Sequence, residues 1–540
     1  MKILKPLLLN IIITLLLSGC GSVKILSTPI ENIDNTPIKI NELSEIEKQI
    51  WSHLDLVNDT IPGMSINRAY NEIIKGKKGK TVIVAVIDSG IDIDHEDLDD
   101  VIWVNKKEIP NNGKDDDNNG YVDDINGWNF LGDAYDEQME FVRLLASGNT
   151  THPDYKRAQI EYDKEYKKFS NYKTQYKQII QQLNDSDKAV SSYLKKADYT
   201  KEDLNEIKTE DKELVYHVWI IKQYLGNGFN STKDFLISLN DDLKQINERL
   251  NFHLNKEFKG RKTGDNPDDF SQKVYGNANV KPVKKDESHG THVAGIIAAE
   301  RNNGLGVNGV AKNVKIMVIR NTPNGDEYDK DVALGIRYAV DNGAKIINMS
   351  FGKYYSPHSN WVMDAIAYAG QHDVLIIHGA GNESLDLDKK ANYPTDQVNN
   401  GKEVSNTFLN VGATVPKYGS GLVADYSNYG KINVDVFAPG SKIYSTFPEN
   451  EYNSINGTSM AAPAVAGIAA LIRSYYPNLS AAQVKQVLMN SGLPIKAKVL
   501  IGKDLNTAKP FEDLSKSAKL VNAYNALIMA DHLSKTKIAP

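Results

Sequence analysis

Cysteine is almost missing from this 540-residue chain, which has only Cys20. One thiol excludes an internal disulfide framework and a cysteine-rich zinc centre. A surplus of one charge is missing too. The 63 Lys and Arg stand against 69 Asp and Glu, giving a net charge of -6 and no basic tract. Nucleic acid is therefore not an expected partner. Long apolar runs are absent except for Leu7 to Leu17, which is short for a membrane span. What remains is an ordinary globular composition, 41% hydrophobic and 24% charged, on a chain long enough for two or more folded units.

The one apolar run has its own logic. Lys2 and Lys5 precede it and L-S-G-C closes it at Cys20, the pattern of a signal peptide over 1–20. This ending resembles the lipobox of bacterial lipoproteins. The resemblance implies that Cys20 is lipidated and that the protein is exported and anchored to a membrane.

Downstream, T-V-I-V-A-V-I-D-S-G (81 to 90) reads as a strand buried on both faces. Similar runs recur at 314–319, 344–350 and 374–381, with helical segments such as 329–343 between them. That alternation predicts a doubly wound α/β domain whose site lies at the carboxyl ends of its strands. Asp88, Ser350 and Asn382 fall at such ends. Residues 133–264 break the rhythm. Tyr162, Tyr166, Phe169, Tyr172, Tyr176, Ile179 and Leu183 step by three and four, as do Leu236, Leu239, Leu243, Ile246, Leu250 and Leu254. The spacing predicts an inserted α-helical, coiled-coil-like hairpin with its tyrosines in a buried seam. A recognition surface is the other reading of those tyrosines.

N-G-T-S-M-A-A-P places Ser459 at the start of a helix of small residues. Alone, that serine is as consistent with a helix N-terminus as with a nucleophile. Among the eleven histidines, His289 opens S-H-G-T-H-V-A-G. A zinc reading of His289 with His292 lacks the glutamate of H-E-x-x-H and any cysteine partner. Asp88 after its buried strand is suited to orienting an imidazole. The order Asp88, His289, Ser459 excludes the hydrolases built on G-x-S-x-G, in which serine comes first.

These blocks resemble the subtilisin-like serine proteases, the subtilase family. V-I-D-S-G-I-D, H-G-T-H-V-A-G, G-T-S-M-A-A-P and G-A-G-N-E-S carry the likeness, with N-M-S-F-G, Y-S-N-Y-G and V-F-A-P-G beside them. The resemblance covers roughly 66–132 and 265–531 and implies a subtilisin-type, mainly parallel sheet. It implies a triad of Asp88, His289 and Ser459, with Asn382 in the oxyanion hole. Ser350, Phe351, Gly352, Gly379, Ala380 and Gly381 would flank a protein or peptide substrate as neighbouring strands.

Calcium enters in two places. Asp115, Asp117, Asn119, Gly120, the Tyr121 carbonyl and Asp123 follow EF-hand spacing, with Asn126 where glutamate would close the loop. An Asx-rich turn is the other reading. Asp97 and Asn303 match the family's own calcium loop by resemblance, although R-N-N-G-L-G-V is one residue longer here. Residues 21–65 read as an N-terminal extension packing on the core, too short for an inhibitory prodomain by domain-size limits, and 532–540 as a tail. Two other functions stay open: a silent binding protein on this scaffold, and a protein that docks a partner, or a second copy, through the 133–264 helices.

Overall fold

The computed structural model describes residues 27–33, 36–225, 231–503 and 507–536. The signal-peptide and Cys20 expectations lie outside the described residues. Among the described residues, no helix is long and apolar enough to cross a membrane.

The apolar runs form a nine-stranded sheet. Seven of its strands are β1 (Val82–Asp88), β2 (Gly127–Asn129), β3 (Val314–Arg320), β4 (Ile346–Met349), β5 (Leu375–Gly379), β6 (Phe408–Thr414) and β7 (Val436–Pro439). A hairpin of β8 (Ile443–Phe447) with β9 (Glu451–Ile455) follows, then β10 (Leu493–Pro494), a small pair β11 (Lys498–Leu500) and β12 (Ala508–Pro510), and β13 (Lys519–Leu520). The sheet order is β10-β13-β7-β6-β5-β4-β1-β3-β2, parallel except where β10 meets β13. β1 lies between β3 and β4, so the strand order reverses there. The carboxyl end of β1 is thus a topological switch point, where open parallel sheets hold their ligands.

Eight helices matter for the site: α1 (Glu140–Ala146), α2 (Tyr155–Leu194), α3 (Lys212–Leu225), α4 (Thr232–Glu248), α5 (His289–Ala298), α6 (Asp329–Asp341), α7 (Ser359–Gln371) and α8 (Thr458–Tyr475). Side chains alternate across each strand. On β1, Val82, Val84 and Val86 enter one core with α5 and α8, while Ala85 and Ile87 enter the other with α6 and α7. Both faces are covered, which is why the strand sequence is unbroken in its apolarity.

The segment from β2 to α5 has cores of its own. α2 is 40 residues long, about 60 Å at the α-helical rise. Along it Tyr162, Phe169, Tyr176, Leu183 and Val190 recur every seventh residue and meet the partner elements. α2 packs against both α3 and α4, one helix more than a hairpin. Tyr166 and Tyr172 lie off that row and are exposed, which corrects the expectation of a fully buried tyrosine seam. N-terminal to the sheet, Trp51, Leu56, Ile61 and Met64 are buried in the main core, and Trp51 Nε1 donates to the Ser441 carbonyl (3.1 Å).

Candidate active site

β1 delivers Asp88, fully buried, to the switch point. Its Oδ1 lies 2.6 Å from His289 Nδ1 and also accepts the Ser89 N–H at 2.8 Å. His289 begins α5, and the next residue closes the joint: Gly290 N–H donates to Ser89 Oγ (2.9 Å). A Cβ at Gly290 would come within 2.6 Å of the Ser89 carbonyl oxygen, so a side chain there would push the two loops apart. Burial disfavours the charged imidazole, yet the charge and hydrogen bond of Asp88 outweigh it and leave the His289 pKa raised above its ordinary value. Its side chain remains 37% exposed. Behind the pair, buried Glu287 accepts from Gly90 N–H (2.7 Å), Val283 N–H (2.8 Å) and Arg320 Nε (2.6 Å). This clamp joins the Asp88 and His289 loops. No motif pointed to it, because Arg320 arrives from β3.

Ser459 stands in the first turn of α8, which packs against α5. Pro463, four residues on, has no N–H to give the Ser459 carbonyl. Ser350 Oγ donates to that carbonyl instead (2.9 Å), and Ser459 Oγ donates to the Ser350 carbonyl (2.9 Å). The reciprocal pair fixes the serine beside the end of β4. Its one hydroxyl proton therefore points to Ser350 and not to His289. Asn382 follows β5, and its Oδ1 accepts from Thr458 N–H (2.9 Å) and Thr458 Oγ1 (3.1 Å). With the oxygen anchored, the NH₂ group is the exposed end. The point a Gly457 Cβ would occupy lies 3.5 Å from Ser459 N and 3.6 Å from Asn382 Nδ2, so both nitrogens border the same space.

A cleft of about 80 Å³ joins these groups, lined by Ser350, Phe351, Gly352, Gly379, Gly381, Asn382, Thr458 and Ser459. Ala380 stands behind its wall, buried, with its carbonyl accepting from Asn428 Nδ2 (2.8 Å) and Asn392 Nδ2 (3.1 Å). Sequence reasoning passed over four lining residues, Tyr354, Glu383, Asn392 and Thr458. Glu383 accepts the Tyr354 hydroxyl and the Asn382 N–H. Burial, then the charge of Glu383, pushes the Tyr354 phenol far above its ordinary pKa. A larger polar hollow of about 270 Å³ around Asp388, Asp396, Asn433 and Lys516 contains none of the predicted site residues.

The acidic loop places oxygens of Glu108, Asp115 and Asp117 within 4.8 Å of one another. Glu108 is 6% exposed, and its Oε2 has no partner among the described residues. Its Oε1 accepts the Asp116 and Asp117 N–H groups (2.8 and 3.0 Å), but a buried carboxylate oxygen with no donor calls for a cation, so these three residues fit one. Asp123 does not join them. With φ at 55° the backbone reverses, and its carboxylate accepts from Asn112 N–H (3.1 Å) and Gly113 N–H (2.9 Å). This corrects the EF-hand reading at position nine. Asn119 turns its Nδ2 to Asp124 (3.0 Å), and its Oδ1 accepts the Tyr121 N–H (2.7 Å). The Tyr121 ring packs edge-on against Trp128 and Tyr338. Elsewhere, Asp97 and Asn303 do meet, but Asp97 already accepts from Asn303 Nδ2 (2.7 Å) and Val307 N–H (3.0 Å). Asn303 turns its donor to Asp97 while its Oδ1 accepts the Leu305 N–H (3.0 Å). No cluster of acidic or histidine ligands forms around them among the described residues, so this pair as arranged does not fit a cation.

A doubly wound sheet with an acid, an imidazole, a hydroxyl and an amide at its carboxyl edge defines a class of hydrolytic α/β proteins. This chain belongs to the subtilase family of serine-type peptidases, whose family model matches residues 79–518. It is 38% identical to subtilisin DY of Bacillus licheniformis over 220 residues, 40% of this chain and 74% of that one. Thermitase of Thermoactinomyces vulgaris is 36% identical over 231 residues, 42% of this chain and 76% of thermitase. The thermophilic serine proteinase of Bacillus sp. strain AK1 is 41% identical over 189 residues, 35% of this chain and 43% of the relative.

Proposed function

We propose that the chain is an exported serine endopeptidase acting through Asp88, His289, Ser459 and Asn382. The observation that carries this reading is the 2.6 Å contact of Asp88 Oδ1 with His289 Nδ1 at the switch point, beside the helix of Ser459. Asp88 fixes the imidazole tautomer and stabilises the imidazolium. Substrate displaces the Ser459 hydroxyl from the Ser350 carbonyl and leaves it to His289. His289 takes the proton as Ser459 Oγ adds to the peptide carbonyl. The new oxyanion accepts from Ser459 N–H and Asn382 Nδ2, with the N-terminal end of α8 favouring the charge. His289 then returns the proton to the leaving amine, and water repeats the sequence to release the acyl group from Ser459. Gly352 has a backbone N–H and C=O with no partner among the described residues, which suits pairing with an extended peptide.

Cys20 is the proposed lipid anchor, residues 133–264 the proposed insertion, and Glu108, Asp115 and Asp117 the proposed holders of a structural calcium ion. Bound there, calcium would offset the buried negative charge and stiffen the loop. A fluorophosphonate probe tests the core of the reading: the wild type should be labelled and Ser459→Ala should not. A folded wild type that stays unlabelled would remove the protease reading and leave a binding protein.

A further inference from the structure

Beyond Gly352 the cleft wall is bridged. Lys353, 3% exposed, turns its backbone away to pair with Tyr393 (2.9 and 2.8 Å). Its side chain crosses to the facing segment, where Nζ donates to the Glu327 carbonyl (2.7 Å) and lies 2.9 Å from Asp329 Oδ1. It also meets Glu140 Oε2 on α1 (2.6 Å). Arg143, one turn on, binds Glu140 and donates to the carbonyls of Asp326 (2.7 Å) and Glu327 (3.0 Å). The next carbonyl on the Gly352 edge, that of Tyr354, is taken by Arg157 of α2 (3.0 Å). Between Glu327, Asp329, Lys353 and Tyr393 only about 10 Å³ stays open. That is room for one water at most and for no side chain.

We propose that Lys353, held by Glu140 of the helical segment and by the 327–329 wall, plugs the upstream end of the cleft. Substrate recognition then stops about three residues before the scissile bond. The count follows from strand geometry and rests on the protease reading above. Ser459 Oγ lies against the Ser350 carbonyl, so the attacked residue sits opposite Ser350. Pairing partners on one strand edge recur two residues apart, which puts the third upstream residue opposite Gly352. A fourth meets the Lys353 bridge and has no pocket for its side chain. Breaking the bridge is costly by design. Lys353 neutralises buried acids, and removing it alone would leave Glu140 to Arg143 and Asp329 with only the hydrogen bonds of Ser356 Oγ (2.8 Å) and His358 N–H (2.8 Å) and no cation.

The test uses the full-length protein and peptide p-nitroanilides that share one residue at the cleaved bond and lengthen upstream one residue at a time. We expect kcat/KM to rise to the third residue and then to hold within about twofold through the fifth. A rise of about tenfold at the fourth or fifth residue in the wild type overturns the proposal. The double variant Lys353→Gly with Glu140→Gln should gain that rise, and fluorophosphonate labelling reports whether its site is intact. If the variant fails to fold, the wild-type series decides alone. Binding of the matching free peptides to Ser459→Ala, read by fluorescence polarisation, separates the two readings. A cutoff at three residues in an unlabelled protein keeps the plug and removes the protease. Affinity that keeps growing with length in a labelled one removes only the plug.

Discussion

His289 and Asp88 show how one contact has opposite effects on stability and on activity. The folded state raises the His289 pKa, so it favours the protonated ring. The pair's contribution to stability is therefore fully present below the ordinary histidine value of about 6.5. It fades as pH rises through the raised folded pKa. Activity needs the neutral ring and moves the other way: the acid limb of kcat/KM should have its midpoint above about 6.5. Asp88→Asn should move that midpoint down while lowering the rate, and an unmoved midpoint would assign the limb to another group. Asn382→Ala should reduce kcat about a hundred- to a thousandfold with little change in KM, the loss such a donor causes in subtilisin. These residues were legible because nucleophile, base and acid each lie in a short motif whose glycines and small residues are themselves required. Glu108 was not legible. It lies outside the spaced loop, and only the fold turns its carboxylate toward Asp115 and Asp117.

At the scale of elements, the joint between β1 and α5 carries the site. Gly290→Ala would put a Cβ 2.6 Å from the Ser89 carbonyl oxygen. The expected cost is about 1–3 kcal/mol in urea unfolding, as for other overpacked positions, with a fall in kcat from the widened Asp88–His289 joint. Stability and rate both unchanged would show that the loops yield freely. The strands buried on both faces were readable as continuous apolar runs, β1, β3, β4 and β5 among them. β6 and β7 were passed over. Asn410 and Gly412 interrupt the β6 run, and both are buried only because β7 and the Asn433 and Asp435 loop supply their partners. The helical period of 133–264 was plain, but not that α2 would take two partner helices, since a seventh-residue row fixes one contact face and leaves the number of neighbours open.

For the whole molecule, calcium should act as a folding ligand. At a hundredfold excess over its dissociation constant, a ligand bound only by the native state adds about 2.7 kcal/mol of stability. Chelation should therefore lower the melting temperature, and readdition should restore it. Glu108→Gln should weaken terbium luminescence, whereas Asp123→Asn should leave it nearly intact. The reverse order would return Asp123 to the site. What the sequence by itself determined is local: strands written as apolar runs, helices as periodic faces, and catalytic groups in motifs where neighbouring residues constrain one another. What only the tertiary structure decided is where charges find their partners: Arg320 clamped to Glu287, Lys353 bridged to Glu140 from 213 positions away, and Glu108 turned toward Asp115 and Asp117 by the fold of its own loop. The physical reason is that a buried charge is stable only beside its partner, and the partner's position is set by the packing of the sheet and not by spacing along the chain.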